Sequence, residues 1–265
     1  MNQEELRITD DFMFCKVMED NPELCRTLIE LILKQELGEI ELVQKQKTIE
    51  ITADGRGVRL DVYAKMKDIV CNIEMQTTDK KDHGKRVRFY QSMVDSDLLD
   101  KGESFKALCR SYVIFICPFD PFENDERVYR FETMCREHPE INLQTEAETL
   151  FLCATEKTVQ LQDGLGHFLE YLLRNVPTDK FTNDVHGAVK RASKDAKWRR
   201  EMYTWKMKIE EEKELAAAKA RQNTQQDIIL NMTNLGLEAE EIAKLINVPV
   251  EMVVEVKNSI SGKEG

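Results

Sequence analysis

Two acidic residues fall at matching positions of a predicted β-hairpin, where they could share one chemical task. Asp61 lies in one strand pattern, Glu74 lies in the next, and a turn centred between Lys67 and Asp68 would join the strands. Antiparallel pairing about that centre sets Asp61 opposite Glu74 on one face. The apolar pairs gather on the other face: Leu60 with Met75, Val62 with Ile73, and Ala64 with Cys71. A slip of one residue would pair apolar with polar positions, so the pattern fixes the register.

Opposed carboxylates repel each other, so the predicted arrangement needs compensation. Side chains placed directly opposite have Cβ atoms about 4.5–5.5 Å apart. A divalent cation would compensate, and oxygen ligands favour Mg²⁺ or Mn²⁺, which activate water and neutralise charge on a phosphoryl group. The alternative is a solvent-facing hairpin that tolerates the pair, with Arg59, predicted opposite Gln76, screening it. The turn stays open between a two-residue and a four-residue loop, since Lys-Asp is not a favoured hairpin turn.

The flanking patterns predict a mixed α/β domain that would hold this hairpin. Residues 8–10 could cap a helix that begins near Asp11, and Pro22 could start a second helix. A basic helix is predicted over residues 83–99. Alternation and β-branched residues predict the strands of a mixed sheet at 40–51, before a turn at 54–57, and at 58–64, 69–76, 112–117, 127–132 and 149–153.

The chain changes character after Thr178, because no further strand pattern follows. We therefore predict two domains, 1–178 and 179–265, the second with one long charged helix over 187–226 and two or three short helices over 227–260. Residues 237–253 resemble a helix-turn-helix with Asn247 at the turn and an apolar core of Ile242, Leu245, Ile246, Val250 and Val253.

Charge weighs against DNA reading by this last segment. Residues 227–265 hold seven acids and three bases, which is unfavourable for binding in a DNA groove. A packing, regulatory or dimerising hairpin is the favoured interpretation, and a homo-oligomer through these helices is one of its forms.

The 265 residues carry a net charge of −11, so nucleic acid could bind only at local basic patches. Two such patches exist. Residues 80–88 hold five bases, and residues 190–208 hold eight against two acids, interleaved with Trp198, Tyr203 and Trp205. Residues 190–208 are a better DNA-contact candidate than the helix-turn-helix-like segment, and the alternative is an amphipathic helix whose aromatic side chains pack on the first domain.

Composition also addresses compartment and metal class. The longest apolar run, Tyr112 to Cys117, is too short to span a membrane, and the polar start predicts no export leader. Seven cysteines are scattered singly, which predicts reduced, mostly buried thiols in a cytoplasmic protein. The four histidines do not cluster, so the pattern gives little support to a Cys/His zinc site.

The hairpin segments 58–63 and 72–76 resemble the recombination-promoting nuclease (Rpn)/transposase family of the PD-(D/E)XK nuclease superfamily. Three further segments support the resemblance, which covers about residues 8–155: they are 9–16, 86–93 and 114–122. It implies a restriction-endonuclease-like core of helix, three strands, helix and strand, here followed by an all-helical C-terminal extension. It also implies a Mg²⁺-dependent (or Mn²⁺-dependent) DNA endonuclease.

The resemblance assigns roles to individual residues. Asp61 and Glu74 are implied as metal ligands and catalytic residues, together with Gln76, which stands where the superfamily has lysine. Glutamine can hydrogen-bond a water but brings no positive charge. Asp11 is a candidate third acid, although a helix-capping role is the commoner one at such a position.

Arg86 and Tyr90 lie four residues apart on the basic helix, so they share a face that could meet a DNA phosphate. The alternative is an exposed basic face. Two other functions remain open for the chain: a catalytically silent DNA-binding or regulatory relative, and a protein-interaction scaffold built on the long charged helix.

Overall fold

The computed structural model contains two helices ahead of the sheet and a helical C-terminal region, as predicted. The described residues are 6–49, 58–79, 81–160 and 163–261. The end of the first predicted strand, the predicted turn at 54–57 and Lys80 lie outside them. Among the described residues, the helices are α1 (Asp11–Asp20), α2 (Pro22–Leu33), α3 (His83–Leu98), α4 (Gly164–Arg174), α5 (Lys180–Lys194), α6 (Ala196–Asn234), α7 (Ala239–Ile246) and α8 (Val250–Ser261).

Six strands form one mixed sheet, which confirms the predicted fold class. They are β1 (Leu42–Ile49), β2 (Val58–Met66), β3 (Ile69–Met75), β4 (Arg110–Cys117), β5 (Val128–Phe131) and β6 (Ala147–Cys153). The spatial order is β1-β2-β3-β4-β6-β5. Strands β1, β2 and β3 pair antiparallel, β3-β4 and β4-β6 pair parallel, and β5 joins β6 antiparallel. Helix α3 makes the crossover between β3 and β4, as parallel neighbours require.

Local sequence explains where the elements begin. The Asp10 carboxylate accepts the Met13 backbone N–H at 3.1 Å and caps α1, and Pro22 occupies the first turn of α2. Helix α5 starts at a capping box in which Asp179 and Thr182 exchange hydrogen bonds.

The core is built on both sides of the sheet. Helix α1 contacts β1 and β2, while Val87 and Tyr90 of α3 pack over Phe115 and its buried neighbours on β4 and β6. Strand β4 is buried along nearly its whole length, as expected for a central parallel strand. Helices α1 and α3 therefore both pack against strand β2.

Two predictions about the helices were wrong or incomplete. The long helix predicted over 187–226 is interrupted, because Asp195 is extended and its carboxylate accepts the backbone N–H groups of Lys197 and Trp198. This cap ends α5 and starts α6. Helix α4 had no counterpart in the sequence-based prediction, although Asp163 caps its Gly166 N–H.

The described residues up to Trp198 form one compact unit, and those from Arg199 onward form another. Helix α5, beyond the predicted boundary at residue 178, contacts α1, α2 and α4 within the first unit. The boundary at residue 178 stays a prediction about domains that fold separately. No helix in the described part of the chain is long and apolar enough to cross a membrane.

In the second unit, α7 and α8 enclose a small apolar core with the end of α6. Ile242 and Val253 are fully buried there, and Asn247 ends α7 with a left-handed φ of 55°, as the predicted turn requires. Leu245 was predicted in this core but is 63% exposed. It follows Lys244 on the solvent side of a helix too short to bury both faces.

Candidate active site

The β2-β3 hairpin has the predicted register over the five residue pairs nearest the turn. Val62 pairs with Ile73 and Met66 with Ile69, which leaves Lys67 and Asp68 as a two-residue loop. The regular backbone pairing ends at Val62. The predicted pairs nearer the open end, Leu60 with Met75 and Arg59 with Gln76, lie beyond the ladder and are not formed as such.

Just past the last regular pair, the two carboxylates bond to the opposing backbone. The Asp61 N–H donates to Glu74 Oε1 at 3.1 Å, and the Met75 N–H donates to Asp61 Oδ2 at 3.0 Å. Side chains thus replace the backbone bonds that a continuing ladder would make. The prediction that Asp61 and Glu74 meet is confirmed, but they meet through these reciprocal bonds at the point where regular pairing stops.

The alternation of β2 shifts at the same point. Leu60 and Tyr63, which strict alternation puts on opposite faces, share one buried cluster with Met93 of α3. On β1, Gln46 lies between Lys45 and Lys47, which pair with Val62 and Leu60, and its φ of 50° is unusual for a strand. The prediction that Leu60 shares the face of Val62 was therefore wrong, because the backbone is irregular where Asp61 turns into the site.

Burial controls the electrostatics of the carboxylate pair. Glu74 is 5% exposed, and burial followed by the Asp61 charge raises its pKa to about 8. Burial also raises the pKa of Asp61 to about 6, against the opposing effect of the Met75 N–H. A cation bound beside the two carboxylates would offset the cost of ionising both of them.

The donor set fits a hard divalent cation. Mg²⁺ is typically held by one or two carboxylates, with waters and substrate phosphates completing its shell. The pair supplies two carboxylates at one place on the sheet. In the described ranges, no cluster of three or more His, Cys, Asp or Glu side chains has metal-binding geometry.

Gln76 follows β3 directly and is 5% exposed. Its backbone N–H donates to the Ile116 carbonyl at 2.9 Å, so β4 fixes its position beside Glu74. Its side chain is also held at both ends: Nε2 donates to the Thr78 carbonyl, and Oε1 accepts from Arg86 Nη1 at 2.5 Å.

Arg86 and Tyr90 share one face of α3, as the spacing predicts. Arg86 Nη2 donates to the Tyr90 hydroxyl at 3.2 Å, and its guanidinium lies 5.5 Å from the centre of the Phe115 ring. Its positive charge acts against the burial that raises the pKa of Asp61 and of Glu74. The arginine is half-buried and turned toward the site.

With this geometry, five residues predicted as site residues lie together on β2, on β3, directly after β3 and on α3. The family model for PD-(D/E)XK nuclease family transposases matches residues 8–234. The chain belongs to this family. The match extends well past residue 155 and leaves out α7 and α8. Searches of curated proteins and of solved structures found no match.

The family's first helix contributes two groups near the pair. The Asp11 charge raises the pKa of Asp61, and Asp11 Oδ1 accepts the Phe12 N–H at 3.0 Å. A ligand role for Asp11 stays a prediction. Cys15, one turn further, is fully buried, and the charges of Asp61 and Glu74 add to the burial that raises its pKa. Sequence reasoning treated Cys15 as ordinary core, although its spacing from Asp11 placed both on one helix face.

The loop between Gln76 and α3 has its own ion-pair centre, which the sequence did not predict. Asp79 Oδ1 lies 2.9 Å from His83 Nε2, and Asp79 Oδ2 lies 2.5 Å from Lys81 Nζ. These contacts lower the pKa of Asp79 to about 2. Two bases of the first basic patch, Lys85 and Arg88, are exposed.

The second basic patch, residues 190–208, begins in the first compact unit. Trp198 is 2% exposed and packs 5.7 Å from Phe12, centre to centre, so this aromatic is core as the alternative interpretation required. Tyr203 is 67% exposed. Four bases ahead of Trp198 are exposed on α5 and the start of α6: Lys190, Arg191, Lys194 and Lys197.

The predicted state of the cysteines agrees with the structure. All seven are free. Five are buried, while Cys109 and Cys135 are half-buried.

Proposed function

We propose that this member of the PD-(D/E)XK nuclease transposase family is a metal-dependent DNA endonuclease of the recombination-promoting type. Family membership indicates a nuclease or transposase function. The observation that carries the finer proposal is the convergence of the half-buried Asp61 and the buried Glu74, whose carboxylates accept backbone N–H groups across the open end of one hairpin.

In this proposal, Asp61 and Glu74 hold Mg²⁺ or Mn²⁺. When bound, the ion supplies an acidified water and neutralises charge on the scissile phosphate. The reciprocal backbone bonds fix the two carboxylates, so little reorganisation accompanies binding. The backbone of Gln76 is bonded to β4, and its side chain uses its remaining hydrogen-bonding capacity to orient the attacking water.

DNA is the proposed partner, and its phosphates would meet the site from α3. Arg86 and Tyr90 face the phosphate, and the exposed bases of residues 190–197 extend the positive surface. The net charge of −11 confines contact to such patches, so affinity is expected to fall steeply with salt.

Nicking of supercoiled plasmid in Mg²⁺ tests the proposal directly. We expect cleavage by the wild-type chain, none in EDTA, and none by Asp61→Asn or Glu74→Gln. Asp68→Asn is the matched control, because this exposed acid belongs to the same hairpin but lies at its turn. Nicking that persists in Asp61→Asn would remove the site assignment.

A catalytically silent DNA-binding or regulatory relative is the second candidate. It is favoured by one observation: glutamine stands at position 76 and both ends of its side chain are engaged by the chain. Plasmid binding without cleavage in Mg²⁺ and in Mn²⁺ would support it. A helical scaffold would show neither binding nor cleavage.

Location and assembly complete the proposal. A cytoplasmic location is supported by seven free cysteines, which suit a reducing compartment. Self-association through the C-terminal helices is supported by Leu245 and Val254, both exposed on α7 and α8. Analytical ultracentrifugation of the wild type and of Leu245→Glu tests it, since only the variant should sediment as a monomer.

A further inference from the structure

We infer that Arg86 supplies the positive charge that position 76 lacks, and that Gln76 is the positioning residue that holds Arg86 at the scissile phosphate. The inference rests on the proposed nuclease function and assigns a catalytic role to Arg86 beyond contact with the DNA backbone. It gives α3 a part in catalysis, and it adds the holding of Arg86 to the proposed role of Gln76.

The Gln76 side chain is engaged at both ends. Its carbonyl oxygen accepts from Arg86 and its amide nitrogen donates to Thr78, and the residue is almost fully buried. A buried amide pays for lost hydration with such bonds, so these contacts keep it in one orientation. That orientation points its oxygen, which can only accept, at the guanidinium.

Aromatic side chains hold the Arg86 guanidinium in place. The Tyr90 hydroxyl accepts from Nη2, and the guanidinium lies against the rings of Tyr90 and Phe115. Contacts with described residues occupy two of its five N–H donors. The side chain is half-buried, so the other donors remain within reach of a ligand that enters from solvent.

The positive charge of Arg86 is not paired through these two bonds. The two groups that hold the guanidinium, Gln76 Oε1 and the Tyr90 hydroxyl, are both uncharged. An arginine kept only for structure would normally be paired with an acid when buried. Here the hydrogen-bond partners are neutral, so neither bond neutralises the guanidinium, which can still bind an anion.

The charge balance of the reaction gives that anion. Two carboxylates cancel one divalent cation, so the phosphodiester and the extra negative charge of its transition state stay uncompensated. A fixed guanidinium aimed at this charge is the kind of group that stabilises phosphoryl transfer.

Single variants separate this role from DNA binding. Arg86→Ala should lower kcat about 10²–10³-fold, the usual loss when one fixed donor to developing charge is removed. Its affinity for plasmid, measured in the Asp61→Asn background so that cleavage does not interfere, should change less than threefold. Arg88→Ala, on an exposed position of the same helix, should show the opposite split, and Lys67→Ala at the hairpin turn should change neither.

A charge restored at position 76 provides the decisive test. Gln76→Lys combined with Arg86→Ala should recover at least tenfold of the lost kcat, because a lysine beside Glu74 returns the missing positive charge. Arg86→Lys should keep more activity than Arg86→Ala for the same reason. Thermal unfolding of each variant shows whether it is folded, and the combined variant and Arg86→Lys carry the test if Arg86→Ala is not.

The outcomes distinguish the two proposals. A wild-type chain that cleaves nothing would overturn the nuclease function and this role together. An active wild type whose Arg86→Ala variant loses only affinity would overturn the catalytic role alone, and so would a folded combined variant without recovery.

Discussion

The turn end and the open end of the β2-β3 hairpin have different structures, although the same alternating sequence pattern runs through both. At the turn end, pairing is regular from Met66 with Ile69 to Val62 with Ile73, and the inward side chains are apolar. At the open end, regular pairing stops and the carboxylates of Asp61 and Glu74 bond to the backbone instead. The comparison teaches that one half of the hairpin supplies stability, while the other half gives up regular structure to hold charge.

The largest expected effect separates the two ends by activity. Asp61→Asn and Glu74→Gln should each lower plasmid nicking by about 10³-fold or more, because each removes half of the proposed metal-binding charge. Their free energies of unfolding should not fall, since a neutral side chain is easier to bury. Equal loss of nicking in Asp68→Asn would break the comparison.

The next effect separates the ends by stability. Ile73→Ala removes a fully buried side chain from the last regular pair, and should cost about 2–5 kcal/mol of unfolding free energy in urea titration. The specific nicking rate per folded molecule should stay within a few fold of wild type. A variant that keeps its stability but loses nicking would place catalytic work in the apolar half.

The pH dependence of stability sharpens the comparison further. The pKa values of Asp61 and Glu74, about 6 and about 8, lie above the ordinary range near 4, so the folded state holds more protons than the unfolded state. Stability from this source is therefore complete below about pH 4 and is lost as pH rises toward 8.

Urea titration in EDTA at pH 5 and pH 8 measures this loss. We expect unfolding free energy to fall by about 3–5 kcal/mol for the wild type and by clearly less for Glu74→Gln. Mg²⁺ should restore more stability at pH 8 than at pH 5. A wild-type curve that matches that of Glu74→Gln would show that the pair is not strained when ionised.

The smallest effect belongs to the turn itself. Lys67 and Asp68 are exposed, so Lys67→Ala and Asp68→Asn should each change unfolding free energy by less than about 0.5 kcal/mol and nicking by less than twofold. Both quantities can be measured beside the larger effects. A larger change would mean that the turn end contributes more than regular pairing.

The sequence predicted most of this hairpin because alternation is a strong signal in a half-buried strand pair. Period-two patterning placed Val62 with Ile73 and brought Asp61 to Glu74. It could not predict that Leu60 joins Tyr63, because strict alternation does not anticipate an irregular backbone such as that at Gln46 on the neighbouring strand.

Other parts of the site depend on contacts that leave little trace in local sequence. Helical spacing placed Arg86 and Tyr90 together, but the rotation of Arg86 toward Gln76 depends on Phe115, which is far along the chain. The break at Asp195 carried a local signal, a capping residue ahead of Trp198, that the charge pattern around it obscured.

The burial of Trp198 against Phe12 gives the molecule a built-in optical reporter. The chain has two tryptophans, Trp198 and Trp205, so a Trp205→Phe protein would emit from Trp198 alone. Phe12 directly follows Asp11, whose charge acts on Asp61, so emission from Trp198 records the surroundings of the helix end that lies beside the carboxylates. A titration followed by fluorescence would register local change there without any label.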